Sequence, residues 1–215
     1  MKLYYYDHCP FCTRARMIFG FRNIPVDSEI LANDDEETPN RLIGKKMLPI
    51  LVKEDGTAMG ESLDIVKYVN QLAEQPIDED VRPALNDLLD KINKYAIYLI
   101  LPRSSKIDFA EFATPSAVDY YTKKKTETVG DFDAQIARSD EYIAKLDEDL
   151  KALDALILST DAANGKAPSM EDILIFPILR NLTTVKGINW PDGIRDYLDS
   201  ISRQTAISLL FDHAI

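Results

Sequence analysis

Two cysteines stand near the start of this chain as Cys9-Pro10-Phe11-Cys12, and the 215 residues contain no others. A strand-like run, Leu3-Tyr4-Tyr5-Tyr6-Asp7, leads into them, and a helical pattern, Ala15-Arg16-Met17-Ile18-Phe19, follows. Pro10 suits the first helical position, where its fixed φ is an advantage. The Cys9 sulfur then sits at a helix N-terminus, where unpaired N–H groups and the dipole favour an anion. The thiolate is the reactive form of cysteine, so this position activates a nucleophile. Cys12, one turn further in, can attack a disulfide formed at Cys9. Redox or thiol catalysis is the reading this setting supports. A zinc site would need four ligands, and beyond the two sulfurs the neighbourhood offers His8 alone. A structural disulfide across so short a loop would stabilise little in a chain long enough to have its own core.

The elements that must position these sulfurs alternate through residues 1 to 73. After the helix, which ends near Asn23, Pro25 to Leu31 reads as a second strand, and Asn33-Asp34-Asp35-Glu36-Glu37 as a solvated loop. A short helix is expected around Asn40-Arg41-Leu42-Ile43. Pro49-Ile50-Leu51-Val52 reads as a third strand, Glu54-Asp55-Gly56 as a turn, and Thr57-Ala58-Met59 as a fourth strand. Ser62 then caps a helix through Val69. The order βαβ-α-ββα, a parallel βαβ followed by an antiparallel hairpin and a helix, predicts an α+β fold with a mixed four-stranded, thioredoxin-like sheet. Residues 74–82, polar and proline-bearing, read as a linker. Residues 83–215 read as all-helical.

In that second part Leu85, Leu88, Leu89, Ile92, Tyr95, Ala96 and Leu99 form one apolar face, and Ile136, Ile143, Leu146, Leu150, Leu153 and Ile157 form another. The second stripe suits a bundle helix more than a coiled coil. Ser169-Met170-Glu171-Asp172 has the spacing of a capping box with Asp in place of Glu. Pro177 interrupts the helix after it, and a last helix covers Gly193 to Gln204.

Composition narrows the partners. A net charge of -11 and a pI near 4.7 argue against nucleic-acid and anionic-membrane surfaces. No stretch approaches the roughly 18 uncharged apolar residues of a membrane span. The N-terminus lacks the apolar core of a signal peptide, so a cytoplasmic protein is expected. His8 and His213 have no Ser or Asp partners in a triad pattern. His8, if protonated, could stabilise a Cys9 thiolate. No phosphate-binding glycine loop or metal-ligand cluster is present.

Asp7-His8-Cys9-Pro10-Phe11-Cys12, Leu48-Pro49-Ile50-Leu51, Glu61-Ser62, Ser169-x-x-Asp172 and Gly187-Ile188-Asn189-Trp190-Pro191 together resemble the glutaredoxin 2 family over nearly the whole chain. These are glutaredoxins built on the glutathione-transferase plan. Phe11 departs from the tyrosine usual between the cysteines. The resemblance implies a glutathione-dependent thiol–disulfide oxidoreductase acting on protein–glutathione mixed disulfides and protein disulfides. Cys9 and Cys12 would be catalytic, glutathione the reducing co-substrate, and no metal required.

It further implies a cis Pro49 facing Cys9. Leu48 would then offer its backbone to the cysteinyl part of glutathione, while Ser62 and Glu61 meet the γ-glutamyl carboxylate and ammonium. Taken alone, Pro49 is an ordinary strand-starting proline and Ser62 a plain helix cap. Arg22, Lys45 and Lys46 are candidates for the glycyl carboxylate, and each is equally a surface charge. A monomer is expected. The competing activities are a cysteine-type glutathione transferase, a non-catalytic binding module, and an iron–sulfur carrier.

Overall fold

The computed structural model describes residues 1–215 throughout. Its first part runs β1 (Lys2–Tyr5), α1 (Pro10–Arg22), β2 (Asp27–Ile30), α2 (Glu37–Ile43), β3 (Ile50–Val52), β4 (Ala58–Met59) and α3 (Ser62–Leu72). The strands form one mixed sheet in the order β2-β1-β3-β4. β1 pairs with β2 in parallel, Leu3 against Ser28. It pairs antiparallel with β3, Leu3 against Leu51, and β3 continues antiparallel into β4, Leu51 against Met59. β2 is an edge strand with three exposed residues of four, so its hydrophobic signal is slight and its ends fall inside the expected span.

α1 forms where its local chemistry requires. Pro10 fills the first turn, and Asn23 ends the helix in a left-handed conformation (φ 51), its N–H donating to Gly20 and Phe19 carbonyls. α3 buries Ile65, Val66 and Val69, the spacing of one helical face. α1 and α3 pack against each other. Leu3, Ala15, Met17, Ile18, Ile50, Leu51, Ile65 and Val66 are fully buried. Each of the larger aliphatic side chains contributes about 1.5–3 kcal/mol by leaving water.

The later elements are α4 (Pro83–Ser104), α5 (Pro115–Val129), α6 (Phe132–Ala137), α7 (Ser139–Leu156), α8 (Met170–Leu182) and α9 (Asp192–Thr205), with short 3-10 turns at Ala110–Phe112 and Phe211–His213. α4 packs on α6, α7 and α8. The stripe from Ile136 to Ile157 is two helices rather than one, because the chain leaves helical geometry at Arg138. The capping box at Ser169 is present with Asp172 as its acidic partner. No helix is long and apolar enough to cross a membrane.

The chain divides into two compact units, residues 1–76 with 108–124, and residues 77–107 with 125–215. Both divisions depart from the sequence-based boundaries. Residues 77–82 are not a free linker but part of the second unit. The Asp78 carbonyl accepts from the Met170 N–H at 2.8 Å, and Arg82 pairs with Glu171 at 2.8 Å. Residues 108–124, which include the first part of α5, belong to the first unit, where Phe109, Phe112 and Tyr121 close around His8.

Candidate active site

The sheet register gathers the candidate residues at one end. β1 runs out through Tyr6 and His8 into Cys9. Leu51 pairs with Leu3 and with Met59, so the segment that leads into β3 lies at the end of the sheet where β1 runs out and β4 gives way to α3. Cys9, Cys12, Tyr6 and Leu48 indeed share one apolar cluster with Leu31 and Ile50. The Leu48–Pro49 peptide bond is cis.

Cys9 is the residue immediately before α1, in extended conformation (φ −85, ψ 119), and makes no side-chain cap bond. Its backbone is held at both ends: its N–H donates to the Tyr6 carbonyl at 3.4 Å, and its carbonyl accepts from the Thr13 N–H at 3.0 Å. Cys9 is partly accessible and Cys12 fully buried, and the two are not joined in a disulfide. The Tyr6 N–H donates to Cys12 Sγ at 3.3 Å.

The two sulfurs are driven apart in acidity. A hydrogen bond from the Cys12 thiol brings Cys9 down to about 6, against the opposing effect of burial, with the charge of His8 and the N–H groups of Cys12 and Phe11 adding to it. Those N–H groups are the open end of α1, so the helix terminus acts as expected, but the neighbouring thiol contributes most. Burial pushes Cys12 well up, and the charge of Cys9 and of Glu111 raises it further. An acidic, accessible sulfur beside a protonated, buried one is the arrangement of an attacking and a resolving thiol.

Glu61, not Ser62, occupies the cap position of α3, at φ 63 and ψ 110 with no side-chain cap bond. Ser62 is the first helical residue and is buried. The expected plain N-cap is therefore absent, and the hydroxyl of Ser62 is not spent on closing the helix. Glu61 pairs with Lys45 at 3.1 Å with both side chains largely exposed, an ion pair of little energetic weight.

The three candidate cations are not equivalent. Lys46 donates at 2.8 Å to the Tyr6 hydroxyl and at 2.8 Å to the Asn33 carbonyl, and also to the Asp35 carbonyl. Its ammonium is committed to the fold. Arg22 is the last residue of α1, about 20 Å along the helix from Cys9, where it donates to the Gln75 carbonyl at 2.5 Å. Lys45 alone stays exposed at the site end.

Sequence reasoning missed two neighbours of the nucleophile. Arg14, whose guanidinium burial pushes down against the opposing pull of the Cys9 charge, lies over the exposed Phe11 ring at 5.0 Å. It follows Cys12 by two positions, so proximity alone could have flagged it. Glu111 is fully buried and accepts from His8 at 2.7 Å, a contact across 103 positions with no local signal.

Comparisons with known proteins show the family and the fold. The profile of the family described as glutaredoxin 2, C terminal domain, matches residues 84–214, and that of the glutathione S-transferase N-terminal domain matches residues 3–77. Glutaredoxin 2 of Escherichia coli (strain K12) is 50% identical over 216 residues, covering 100% of both chains. A 1.2 Å crystal structure of glutaredoxin 2 from Salmonella typhimurium in complex with glutathione superposes with a TM-score of 0.96 at 50% identity, over 100% of this chain and 98% of that one. Gtt2 from Saccharomyces cerevisiae, at 19% identity, shares the fold with a TM-score of 0.59 over 94% of this chain and 96% of its own.

Proposed function

The chain belongs to the glutaredoxin 2 family, and we infer that it performs glutathione-dependent thiol–disulfide exchange with Cys9 as nucleophile and Cys12 as resolving thiol. The observation that carries the residue roles is the opposite displacement of the two sulfurs, Cys9 down to about 6 and Cys12 upward. At neutral pH Cys9 is largely thiolate and Cys12 is not.

In the one-cysteine route the Cys9 thiolate attacks the glutathione sulfur of a protein–glutathione mixed disulfide. The new Cys9–glutathione disulfide forms as the protein thiolate leaves and takes a proton. A glutathione thiolate then attacks the same glutathione sulfur, releasing glutathione disulfide and regenerating the Cys9 thiolate. In the two-cysteine route Cys9 forms a mixed disulfide with a substrate protein, and Cys12, losing its proton, attacks the Cys9 sulfur and expels the substrate as a thiol. The Cys9–Cys12 disulfide is then reduced by two glutathiones, which leave as glutathione disulfide. Potentials of this class, about −200 to −230 mV, let a cytosolic glutathione pool drive the reduction. A cytoplasmic protein working as a monomer fits this scheme.

Glutathione is proposed to lie along the start of β3. The cysteinyl backbone would pair with the free backbone of Leu48 beside the cis Pro49, where the chain leads into β3, strand against strand. The γ-glutamyl carboxylate would meet the Ser62 hydroxyl and the open N–H groups of α3, and its ammonium would meet Glu61. Lys45 is the remaining cation at this end for a glutathione carboxylate. Coupled assays of a small glutathione mixed disulfide and of a chlorinated aromatic electrophile test the activity side by side. Reduction of the disulfide without conjugation is the expected result; conjugation alone would make the protein a cysteine-type transferase.

A further inference from the structure

His8, directly before the nucleophile, is buried in an aromatic box. Its ring stacks on Tyr6 at 5.5 Å, packs against Phe112 at 4.9 Å and meets the edge of Tyr121 at 5.2 Å. Into this apolar setting residues 108–124 deliver a carboxylate. Glu111 has no solvent exposure, and one of its oxygens, Oε1, accepts from the His8 backbone N–H at 2.9 Å and bonds His8 Nδ1 at 2.7 Å. Its other oxygen, Oε2, is buried without a hydrogen-bond partner. The Glu111 backbone is fixed in turn, its carbonyl accepting from the Asn33 N–H at 2.9 Å.

Burying a carboxylate in an apolar box is costly unless its partner is well placed. A purely structural contact to the His8 backbone would need only a neutral acceptor. An ionised carboxylate only accepts, so against it Nδ1 is the ring nitrogen that carries the hydrogen. We propose that Glu111 is a positioning residue of the exchange reaction: by holding both the backbone and the Nδ1 of His8, it fixes the imidazole, and the charge the ring carries, beside the Cys9 sulfur. This deepens the assignment of Cys9 as nucleophile and rests on it. The charge of His8 favours the Cys9 thiolate, and that of Glu111 disfavours a Cys12 thiolate, so the pair widens the difference between the two sulfurs from both sides. The other ionisable groups around them are Tyr6, Cys12, Arg14 and Tyr121, with Lys46 on the Tyr6 hydroxyl and Asp7 paired to Arg16.

The test is the pH dependence of Cys9 alkylation in a Cys12→Ser background, with and without Glu111→Gln, His8→Gln and both. Glutamine at 111 keeps an acceptor for His8 but removes the charge. Glu111→Gln should slow alkylation at pH 6 by about three- to tenfold and leave the KM for glutathione unchanged. His8→Gln should do the same, and the double variant no more than His8→Gln alone. A Glu111→Gln protein whose profile superposes on its parent, even with a lower melting temperature, would make Glu111 a structural residue and overturn the proposal. Should Glu111→Gln not fold, His8→Gln decides: a displaced profile supports the proposal and an unchanged one overturns it. A parent that alkylates only like a free thiol would instead remove the assignment of Cys9, a failure distinct from either.

Discussion

Two carboxylates of this chain have no solvent exposure at all, Glu111 in the first unit and Asp172 in the second, and they are used in opposite ways. Asp172, in the second unit, is fully buried and satisfied on both oxygens. Oδ1 accepts from the Ala163 N–H at 2.8 Å and the Tyr197 hydroxyl at 2.8 Å. Oδ2 accepts from the Ser169 N–H at 2.8 Å and its hydroxyl at 3.1 Å. Burial still pushes its carboxyl up against the pull of those donors. None of the donors changes charge near neutral pH, and the cluster ties a helix start to a loop and to α9. Glu111, in the first unit, uses one oxygen for two bonds to a titratable residue and leaves the other unbonded. A saturated buried carboxylate marks architecture; an unsaturated one against a histidine, next to an acidic thiol, marks chemistry.

The largest effect should fall on the chemical side of that comparison and leave the structural side intact. Cys9→Ser is expected to abolish reduction of glutathione mixed disulfides, because an alcohol at neutral pH cannot replace a thiolate, while melting as the parent does. Cys12→Ser should keep the one-cysteine route and lose the two-cysteine route to protein disulfides. Equal loss in both variants would end this division of labour.

Asp172→Ala is the mirror experiment. Four buried donors lose their acceptor, and each left unsatisfied costs about 1–3 kcal/mol, so denaturant unfolding should show a loss of roughly 3 kcal/mol or more. The activity of the molecules that remain folded should match the parent. A variant of normal stability and low turnover would place Asp172 in the chemistry and collapse the contrast with Glu111.

The acidity of Cys9 gives the next test. The thiolate is the reacting species, so alkylation of Cys9 should be slow below pH 6, rise through a midpoint near 6 and level off above it. Removing Cys12 takes away the hydrogen bond that contributes most, so the Cys12→Ser midpoint should lie higher than the parent's while staying below the ~8.5 of a free thiol. A midpoint unchanged by the loss of Cys12 would transfer that stabilisation to the helix terminus.

How far this was readable in advance follows the range of each interaction. Cys9, Cys12, the order of strands and helices, and the capping box at Ser169 are local patterns, and the sequence carries them openly. The helical break at Arg138 is not, since the hydrophobic period runs on across it. Ser62 misled for a physical reason. Serine is a favoured cap, and nothing in Gly60-Glu61-Ser62 announces that Glu61 takes the cap position with a positive φ. The partnership of His8 with Glu111 depends on residues 108–124 returning to the first unit, and Asp-Phe-Ala-Glu-Phe has no period that declares this.

Glu61 supplies the smallest effect and sharpens the comparison, because there strain rather than burial is what the site sustains. A non-glycine residue at φ 63 costs of order 1–3 kcal/mol, and the Glu61 side chain recovers little through its exposed pair with Lys45. If that conformation is kept for glutathione, relieving it should trade stability for affinity. Glu61→Gly is expected to stabilise the fold by about 1 kcal/mol while raising the KM for glutathione about 10-fold or more, the loss of a hydrogen bond to a charged group. Glu61→Gln keeps the strain and loses the charge, so it should raise KM without the gain in stability. Ser62→Ala should likewise raise KM, and with no cap bond to lose it should leave the melting temperature almost unchanged. These variants touch groups remote from the exchanging sulfur, so turnover should fall less than KM rises. Parent-like glutathione binding in Glu61→Gly, together with the stability gain, would show that the strained cap is not part of the glutathione site.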